Sequence, residues 1–231
     1  MMLYFTETGF VLFERECAKR VNSPDDGRTK KVRNTEKNME YANLEEVKCA
    51  AEKCRACPLC ETKTNTVFGI GNENAELMFV GEAPGEKEDL SGIPFVGAAG
   101  KLLDKYLCAV GIDRENVYIA NILKCRPPHN RDPKPEEEDE CIGFLREQVR
   151  LIQPRIIVCL GRISAMRLIK PDFKITKEHG VFFKKGKYTI CAVFHPAALL
   201  RDPRKREDML TDMKNIKALL DGRTGAEETA Q

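Results

Sequence analysis

Four cysteines in this sequence are spaced as ligands of a metal ion or a metal cluster. Cys54 and Cys57 form a C-x-x-C pair, Cys125 lies in a loop after a strand-like segment, and Cys141 follows after 15 intervening residues. A C-x-x-C pair provides two thiolates on one turn, the usual start of a zinc or iron–sulfur site. The other two cysteines form no second C-x-x-C, which disfavours a common zinc ribbon. Zinc and a four-iron cluster both stay open, and a redox dithiol would not need Cys125 or Cys141.

The other cysteines near or beyond this set are interpreted as spare or packed thiols. Cys49 and Cys60 lie close to the C-x-x-C pair in sequence and are taken as incidental thiols. Cys108, Cys159 and Cys191 fall inside predicted helices or strands, where a cysteine acts as a small buried hydrophobe. Ten cysteines in a chain without a predicted leader favour ligands or core packing over a disulfide framework.

Polar loops marked by glycine and proline follow the apolar segments and are candidates for holding a ligand. Their sequences are GEAPGEKED, NILKCRPPHNR, LGR and HPAALLR. The glycines of the first loop allow a ligand to approach the backbone closely, yet it is neither a Walker A loop nor a G-x-G-x-x-G motif. Taken alone, a histidine such as His195 is more often structural than catalytic, and Asn121 at a strand end could simply cap the following turn.

Strand-like and helical segments alternate along the chain, which predicts an α/β sandwich with a mainly parallel sheet. Strands are predicted at 76–80, 117–122, 155–161 and 188–194. Helices are predicted from Asn43, at 97–110, from Pro135 to about Ile152, near 162–169 and at 205–220, with HPAALL as a loop and turn. In such sheets ligands bind beyond the carboxyl ends of the strands, where all four polar loops are expected.

Composition describes a globular chain with a distinct N-terminal segment. The sequence is 42% apolar and 32% charged, as in soluble globular proteins, and no apolar stretch reaches the roughly 18 residues of a membrane span. The start lacks a basic segment and a cleavage site, so the expected location is the cytoplasm. We expect a flexible or non-native arm at 1–41, a folded domain at 42–221 and a disordered tail at 222–231.

Charge alone does not indicate a nucleic-acid partner, because 38 basic and 36 acidic residues leave a net charge of +2. Basic residues gather in two clusters, which are Lys124, Arg126, Arg131 and Lys134, and Arg201, Arg204, Lys205 and Arg206. Acidic neighbours dilute both clusters, so solvated loop charge is the simpler interpretation of either one.

Taken together and in order, four segments resemble the signature of the family 4 uracil-DNA glycosylases: GEAPGEKED, GIPFVGAAGKLLD, NILKCRPPHNRDPKPEE and HPAALLR. The resemblance covers about residues 42–220. It implies the uracil-DNA glycosylase fold, a three-layer sandwich with a four-stranded, mainly parallel sheet. It also implies a [4Fe-4S] cluster held by Cys54, Cys57, Cys125 and Cys141, and removal of uracil from DNA that contains deaminated cytosine.

The resemblance further implies how side chains act on a base flipped out of the duplex. Phe95 is expected to stack on the base. The Asn121 amide is expected to accept from uracil N3–H and donate to O4, a pattern that cytosine reverses. His195 is expected to hydrogen-bond O2, where negative charge gathers as the glycosidic bond breaks. The backbone amides of Glu82 and Ala83 are expected to line the same pocket.

DNA contacts are expected on both sides of this pocket. Either Leu199 or Leu200 is expected to wedge into the duplex, with Arg201 on a phosphate. Arg126 and Arg131, in the CRPPHNR loop, are also expected to contact DNA.

Two carboxylates near the first loop have alternative roles. Glu88 either closes the pocket against the C5 methyl of thymine or helps to position the attacking water. Asp89 is the other carboxylate within reach of that water, and a structural loop-closing role suits it equally well. Ala83 stands where better-known uracil glycosylases carry a water-activating aspartate. Catalysis is therefore expected to depend on leaving-group stabilisation and on the DNA phosphates.

The predicted activity is that of a monofunctional glycosylase that hydrolyses the N-glycosidic bond of deoxyuridine and leaves an abasic site for base excision repair. The predicted partner is uracil-containing DNA, single- or double-stranded, and the chain is expected to act as a monomer. Two alternatives stay open. One is a noncatalytic nucleic-acid-binding module with a structural metal site, and the other is a glycosylase with a different base preference.

Overall fold

A six-stranded sheet forms the centre of the computed structural model, which describes residues 41–222. The strands are β1 Ile70–Gly71, β2 Leu77–Gly81, β3 Tyr118–Asn121, β4 Ile156–Leu160, β5 Phe182–Lys185 and β6 Tyr188–Val193. Their order across the sheet is β1-β3-β2-β4-β6-β5. The four central strands are parallel, and β1 and β5 pair antiparallel at the two edges.

Nine α-helices surround this sheet in residues 41–222. They are α1 Leu44–Glu52, α2 Leu59–Thr62, α3 Glu86–Ser91, α4 Ala98–Ala109, α5 Pro135–Ile152, α6 Arg162–Leu168, α7 Ile175–Glu178, α8 Pro196–Arg201 and α9 Arg206–Leu220. The side chain of Asn43 caps α1 by accepting the Glu46 N–H at 2.9 Å. Pro135 is the first residue of α5 and is followed by three acidic residues. Their negative charges are stabilised by the positive N-terminal end of the helix dipole.

Two apolar cores lie on opposite faces of the sheet, so the domain has three layers. Along the fully buried β4, Ile157 and Cys159 pack into the core beneath α1, α5 and α6. Their neighbours Ile156, Val158 and Leu160 pack into the core beneath α4, α8 and α9. This alternation follows from the two-residue period of a strand, and burial of both faces explains the uninterrupted aliphatic run.

The predicted three-layer sandwich with a parallel sheet is confirmed, with two differences in detail. The short antiparallel strands β1 and β5 extend the predicted four-stranded sheet. The segment HPAALL, predicted as a loop and turn, forms α8, and the second half of GEAPGEKED forms α3. The predicted arm and tail lie outside the described residues, apart from Tyr41 and Gly222. Within residues 41–222, no helix combines the length and apolar character needed to cross a bilayer.

Candidate active site

A cavity of about 590 Å³ opens where the parallel strands end. Loops after β2, β3, β4 and β6 all contribute to its wall, as expected at the carboxyl edge of a parallel sheet. The wall includes Glu82, Glu88, Phe95, Asn121, His195 and Arg201. A larger groove of about 870 Å³ lies elsewhere, between α5 and α6, and contains none of these residues.

Asn121 ends β3 with its side chain buried and poorly satisfied. Its exposed fraction is 2%, and its Oδ1 accepts no hydrogen bond from the residues described. Gly81 pairs with it at the end of β2, and a Cβ there would lie 2.3 Å from Oδ1 and 2.8 Å from the Phe95 ring. Glycine at 81 therefore allows both side chains to meet at the pocket floor. A buried acceptor of this kind calls for a donor from a ligand.

Phe95 lies on the pocket wall in a left-handed backbone conformation, with φ 55°. This conformation is unfavourable for a residue with a Cβ. The loop is held by neighbours: Arg114 donates to the carbonyls of Pro94 and Phe95 at 3.1 and 3.4 Å. Gly100 packs on the same turn, where a Cβ would lie 1.7 Å from the Phe95 carbonyl oxygen. The surrounding contacts therefore fix the ring in place.

Glu88 holds the backbone beyond Phe95. Its Oε1 accepts the N–H of Val96 at 3.0 Å and that of Gly97 at 2.8 Å. The neighbouring Asp89 is buried and turned away, because its carboxylate accepts the Thr64 N–H. Asp89 therefore closes a loop, as one of its two expected roles proposed.

His195 follows β6 and caps α8 with its own ring. Its Nδ1 accepts the Ala197 N–H at 3.1 Å, so the proton of the neutral imidazole is on Nε2. Burial, followed by the charge of Arg201, lowers the pKa of His195 to about 4. Near neutral pH the ring is therefore an uncharged donor through Nε2. The rings of His195 and Phe95 lie 5.8 Å apart and are tilted by 36°.

The GEAPG loop brings a carboxyl group to the pocket that sequence reasoning did not assign. Burial, and then repulsion by Asp132, raises the pKa of Glu82 to about 7, while Arg162 opposes the rise. Arg162 and Asp132 pair with each other at 3.2 Å. Glu82 and Ala83 both line the pocket, and the role of their backbone amides stays a prediction. The LGR loop was the signal for Arg162, but nothing in the sequence paired it with Asp132.

The two candidate wedge residues differ sharply in exposure. Leu199 is 0% exposed and packs into the core beneath α8, so it is not available to enter a duplex. Leu200 is 44% exposed. Arg201 is exposed and lies at the pocket wall, where its charge acts on His195.

The arginines of the CRPPHNR loop are less free than the sequence suggested. Arg131 makes a paired contact with the carboxylate of Glu137, including 2.8 Å from Nη1 to Oε2. Any contact between Arg131 and a phosphate would compete with this ion pair. Arg126 donates to Asn130 Oδ1 at 2.8 Å and does not line the cavity.

The four predicted ligand cysteines meet at a separate, small cavity. Cys54, Cys57, Cys125 and Cys141 all line it, although they come from the turn between α1 and α2, the loop after β3, and α5. Burial raises the pKa of Cys125 to about 11; the charge of Lys63 opposes the rise, and the neighbouring thiols add to it. Long-range folding therefore gathers four sulfur donors.

The remaining cysteines divide between this cavity, the core and the surface. Cys60 borders the cavity as a fifth thiol, whereas Cys49 is not part of its wall. Cys159 and Cys191 are fully buried, as predicted. Cys108 is exposed, so its prediction as a buried thiol was wrong. It lies next to the buried Leu107 of α4, off the stripe of that helix that faces the core.

An aromatic face, a carboxamide and a neutral imidazole donor, from Phe95, Asn121 and His195, border one pocket at the carboxyl edge of the parallel strands. Residues 68–217 match the family model described as the uracil DNA glycosylase superfamily.

Several relatives match over nearly the whole domain. The chain is 47% identical over 182 residues to a type-4 uracil-DNA glycosylase of Archaeoglobus fulgidus, covering 75% of this chain and 92% of the relative. It is 43% identical to the type-4 uracil-DNA glycosylase of Thermotoga maritima, covering 77% and 94%. A type-5 uracil-DNA glycosylase of Pyrobaculum aerophilum is 31% identical, covering 56% and 64%. The chain belongs to the type-4 uracil-DNA glycosylases.

Proposed function

We propose that this chain excises uracil from DNA by hydrolysing the N-glycosidic bond of deoxyuridine in the 590 Å³ pocket. One observation carries the proposal: the unpaired Oδ1 of Asn121 and the Nε2 donor of His195 border the same buried space. An acceptor and a donor at two sides of a ring fit the N3–H and O2 of uracil.

Base recognition would depend on Asn121 and Phe95. With Oδ1 accepting from N3–H, the amide nitrogen of Asn121 is left to donate to O4. Cytosine has an unprotonated N3, which would place an acceptor against Oδ1. Its amino group at C4 would place a donor against the amide nitrogen, so neither hydrogen bond forms. Phe95 supplies the apolar face on which the flipped ring stacks.

Bond cleavage would depend on stabilising the leaving group. As the N1–C1′ bond breaks, its electron pair moves into the uracil ring and negative charge accumulates on O2. A neutral His195 donates Nε2–H to this oxygen without bringing a positive charge that burial would oppose. Water adds to C1′, and the proton it loses balances the charge of the released uracil. DNA phosphates favour the cationic sugar.

The contacts of Glu88 support a positioning role for its carboxylate more than a role in activating water. One of its oxygens is occupied by the backbone that carries Phe95. Leu200 and Arg201 are the residues of α8 that remain available to DNA, the leucine for the gap left by the base and the arginine for a phosphate. The monomeric state, the cytoplasmic location and the strand preference stay predictions.

The test of this function is base release from oligonucleotides that differ at one position. Duplexes and single strands containing one uracil, cytosine or thymine are incubated with the protein, and free base is separated by chromatography. We expect uracil alone to be released, leaving an alkali-sensitive abasic site. Binding without release from any substrate would favour the noncatalytic module, and release of a different base would contradict the assignment of Asn121. Asn121→Asp removes the donor to O4 and should abolish most of the activity.

We also propose that Cys54, Cys57, Cys125 and Cys141 hold a [4Fe-4S] cluster. Four thiols around one cavity match the donor chemistry of such a cluster. Within residues 41–222, no group of three or more potential ligands lies close enough together to hold a single metal ion. When bound, the cluster would cross-link the turn between α1 and α2, the loop after β3, and α5.

Metal content distinguishes a cluster from zinc. Purified protein should be brown, with about four irons and four sulfides per chain if a complete cluster is present. Cys125→Ser should lose the colour, and Cys60→Ser, the matched change in the fifth thiol, should keep it. Colourless protein that contains zinc would overturn the cluster while leaving the glycosylase function intact.

A further inference from the structure

Lys124 carries a fully buried ammonium group that neither the pocket nor the thiol cavity explains by itself. Its exposed fraction is 1%. The ammonium donates to the carbonyl oxygen of Asn121 at 2.8 Å and to Oε1 of Gln148 at 2.7 Å. Both acceptors are uncharged, and none of the ion pairs formed within residues 41–222 includes Lys124. A buried charge without a counter-charge is costly, so its retention needs a physical reason.

The acceptors of this ammonium are themselves held rigidly. The amide nitrogen of Gln148, on α5, donates to the carbonyl of Phe68 at 2.9 Å and contacts the Tyr118 hydroxyl at 3.2 Å. All three partners are buried, so the carboxamide cannot turn freely. Lys124 therefore ties the end of β3, at Asn121, to a fixed point on α5.

The backbone of Lys124 faces the thiol cavity. Its N–H donates to the Sγ of Cys141 at 3.3 Å, and the next residue along the chain is Cys125. Lys124 also belongs to the residues that line the cavity. When a cluster is bound, the Cys141 sulfur would be a thiolate, and the N–H contact places Lys124 directly beside it.

We propose that Lys124 is a positioning residue that couples the cluster to base recognition. Its ammonium serves as the counter-charge of the anionic thiolate cluster and, from the same position, fixes the backbone of Asn121 in the uracil pocket. This proposal rests on the proposed glycosylase function and on the cluster. Loading of the cluster would then stabilise the geometry that reads the base, although the cluster itself touches no substrate.

The test replaces the charge while keeping the length of the side chain. Lys124→Met is compared with Lys63→Met in iron-loaded protein. Lys63 is a matched control, because its charge also acts on Cys125 but its side chain is partly exposed and bonds Glu52 and Thr66, not Asn121. Iron content, the reduction potential of the cluster and kcat/KM on a single-uracil oligonucleotide are measured for each variant.

Lys124→Met should lower the reduction potential, because removing a nearby positive charge disfavours the more negative reduced cluster. It should also lower kcat/KM by about tenfold or more, as expected for loss of one buried, charge-assisted contact. Lys63→Met should shift the potential less, because solvent screens its charge, and leave kcat/KM unchanged. A lysine whose charge does not act on the cluster would leave the potential of folded, fully loaded protein unchanged.

Two results would overturn the proposal: iron-loaded Lys124→Met with wild-type kcat/KM, or with a wild-type potential. If this variant does not load iron, Lys124→Gln is measured in the same way, since it removes the charge but keeps a donor. Wild-type protein is assayed in parallel. Absence of uracil release or of iron from the wild type would contradict the proposed function instead.

Discussion

The ring of His195 lies 5.8 Å from the ring of Phe95, and the two form adjacent walls of one buried pocket. Phe95 is held by Glu88 and Arg114 through its neighbouring backbone, and His195 is held by the first turn of α8. The surface for stacking and the donor for the leaving group are therefore fixed before DNA arrives. Such preorganisation lets a hydrogen bond stabilise developing charge without reorganisation during the reaction.

The protonation state of His195 is the first prediction. Its imidazole should be neutral, with the proton on Nε2, down to a pKa of about 4. Arg201→Gln should raise this pKa, because one cause of the lowering is removed. NMR of the imidazole nitrogens across the pH range measures both quantities. A wild-type pKa near 6.5, the ordinary histidine value, or a proton on Nδ1 would contradict the neutral-donor mechanism.

Two substitutions at Glu88 distinguish a positioning role of its carboxylate from a role as general base. Glu88→Gln keeps an oxygen for the N–H groups of Val96 and Gly97, so its turnover should stay within about threefold of wild type. Loss of a general base would cost about 100- to 10,000-fold. Glu88→Ala removes the acceptor and should destabilise the loop by about 1–3 kcal/mol. A collapse of turnover in Glu88→Gln, with unchanged stability, would establish a water-activating carboxylate instead.

Alanine substitutions of the two leucines of α8 should have different effects, one on the contact with DNA and the other on folding stability. Leu200→Ala should lower turnover on duplex more than on single-stranded substrate, with stability changed by less than about 0.5 kcal/mol. Leu199→Ala should instead cost about 2–5 kcal/mol of unfolding free energy, because it empties part of the core. Chemical denaturation and paired turnover assays measure these effects. Equal loss on both substrates in Leu200→Ala would argue against a wedge.

Glu82 should make stability depend on pH in a particular direction. Its pKa is raised by burial to about 7 in the folded state and lies near 4.5 when unfolded. The folded state therefore binds the extra proton, and its stability falls as the pH rises through this window. Glu82→Gln removes that loss, so it should gain on the order of 1–2 kcal/mol relative to wild type between pH 4.5 and 8, after allowance for solvent screening.

The control for this prediction is Glu115→Gln, a change at an exposed carboxylate away from the pocket. Denaturant unfolding at both pH values gives the difference for each variant. The Glu82→Gln difference should grow with pH by more than the Glu115→Gln difference does. A Glu82→Gln difference that does not grow with pH would mean that the carboxyl is ionised without penalty in the folded protein.

Local sequence signals predicted the central elements well and failed where tertiary contacts decide. Pro135 with its acidic first turn located α5, and the continuous aliphatic run located β4, because both signals act within one segment. The edge strand β1 has two residues, too few for a detectable period. The helix α8 was missed because its cap is the imidazole of His195, which is not among the usual capping residues.

The sequence indicated which residues lie at the candidate site better than it indicated what each of them contacts. Asn121, Phe95 and His195 line the cavity as expected, since strand ends converge by topology. The sequence did not predict the helix α8. Without a helix, it could not show which of the neighbouring residues Leu199 and Leu200 faces the core. The pairing of Arg131 with Glu137, and the buried contacts of Lys124, depend on packing between segments that no local pattern records.

Turnover of a single-uracil oligonucleotide by wild type and by His195→Ala, measured side by side, tests the central claim most directly. The wild type should release uracil and spare cytosine and thymine. His195→Ala, folded and with equal iron content, should release uracil about 100- to 1000-fold more slowly, as expected for loss of one preorganised donor to a developing anion. Equal rates from the two proteins would contradict the assignment of His195 as the group that stabilises the departing base.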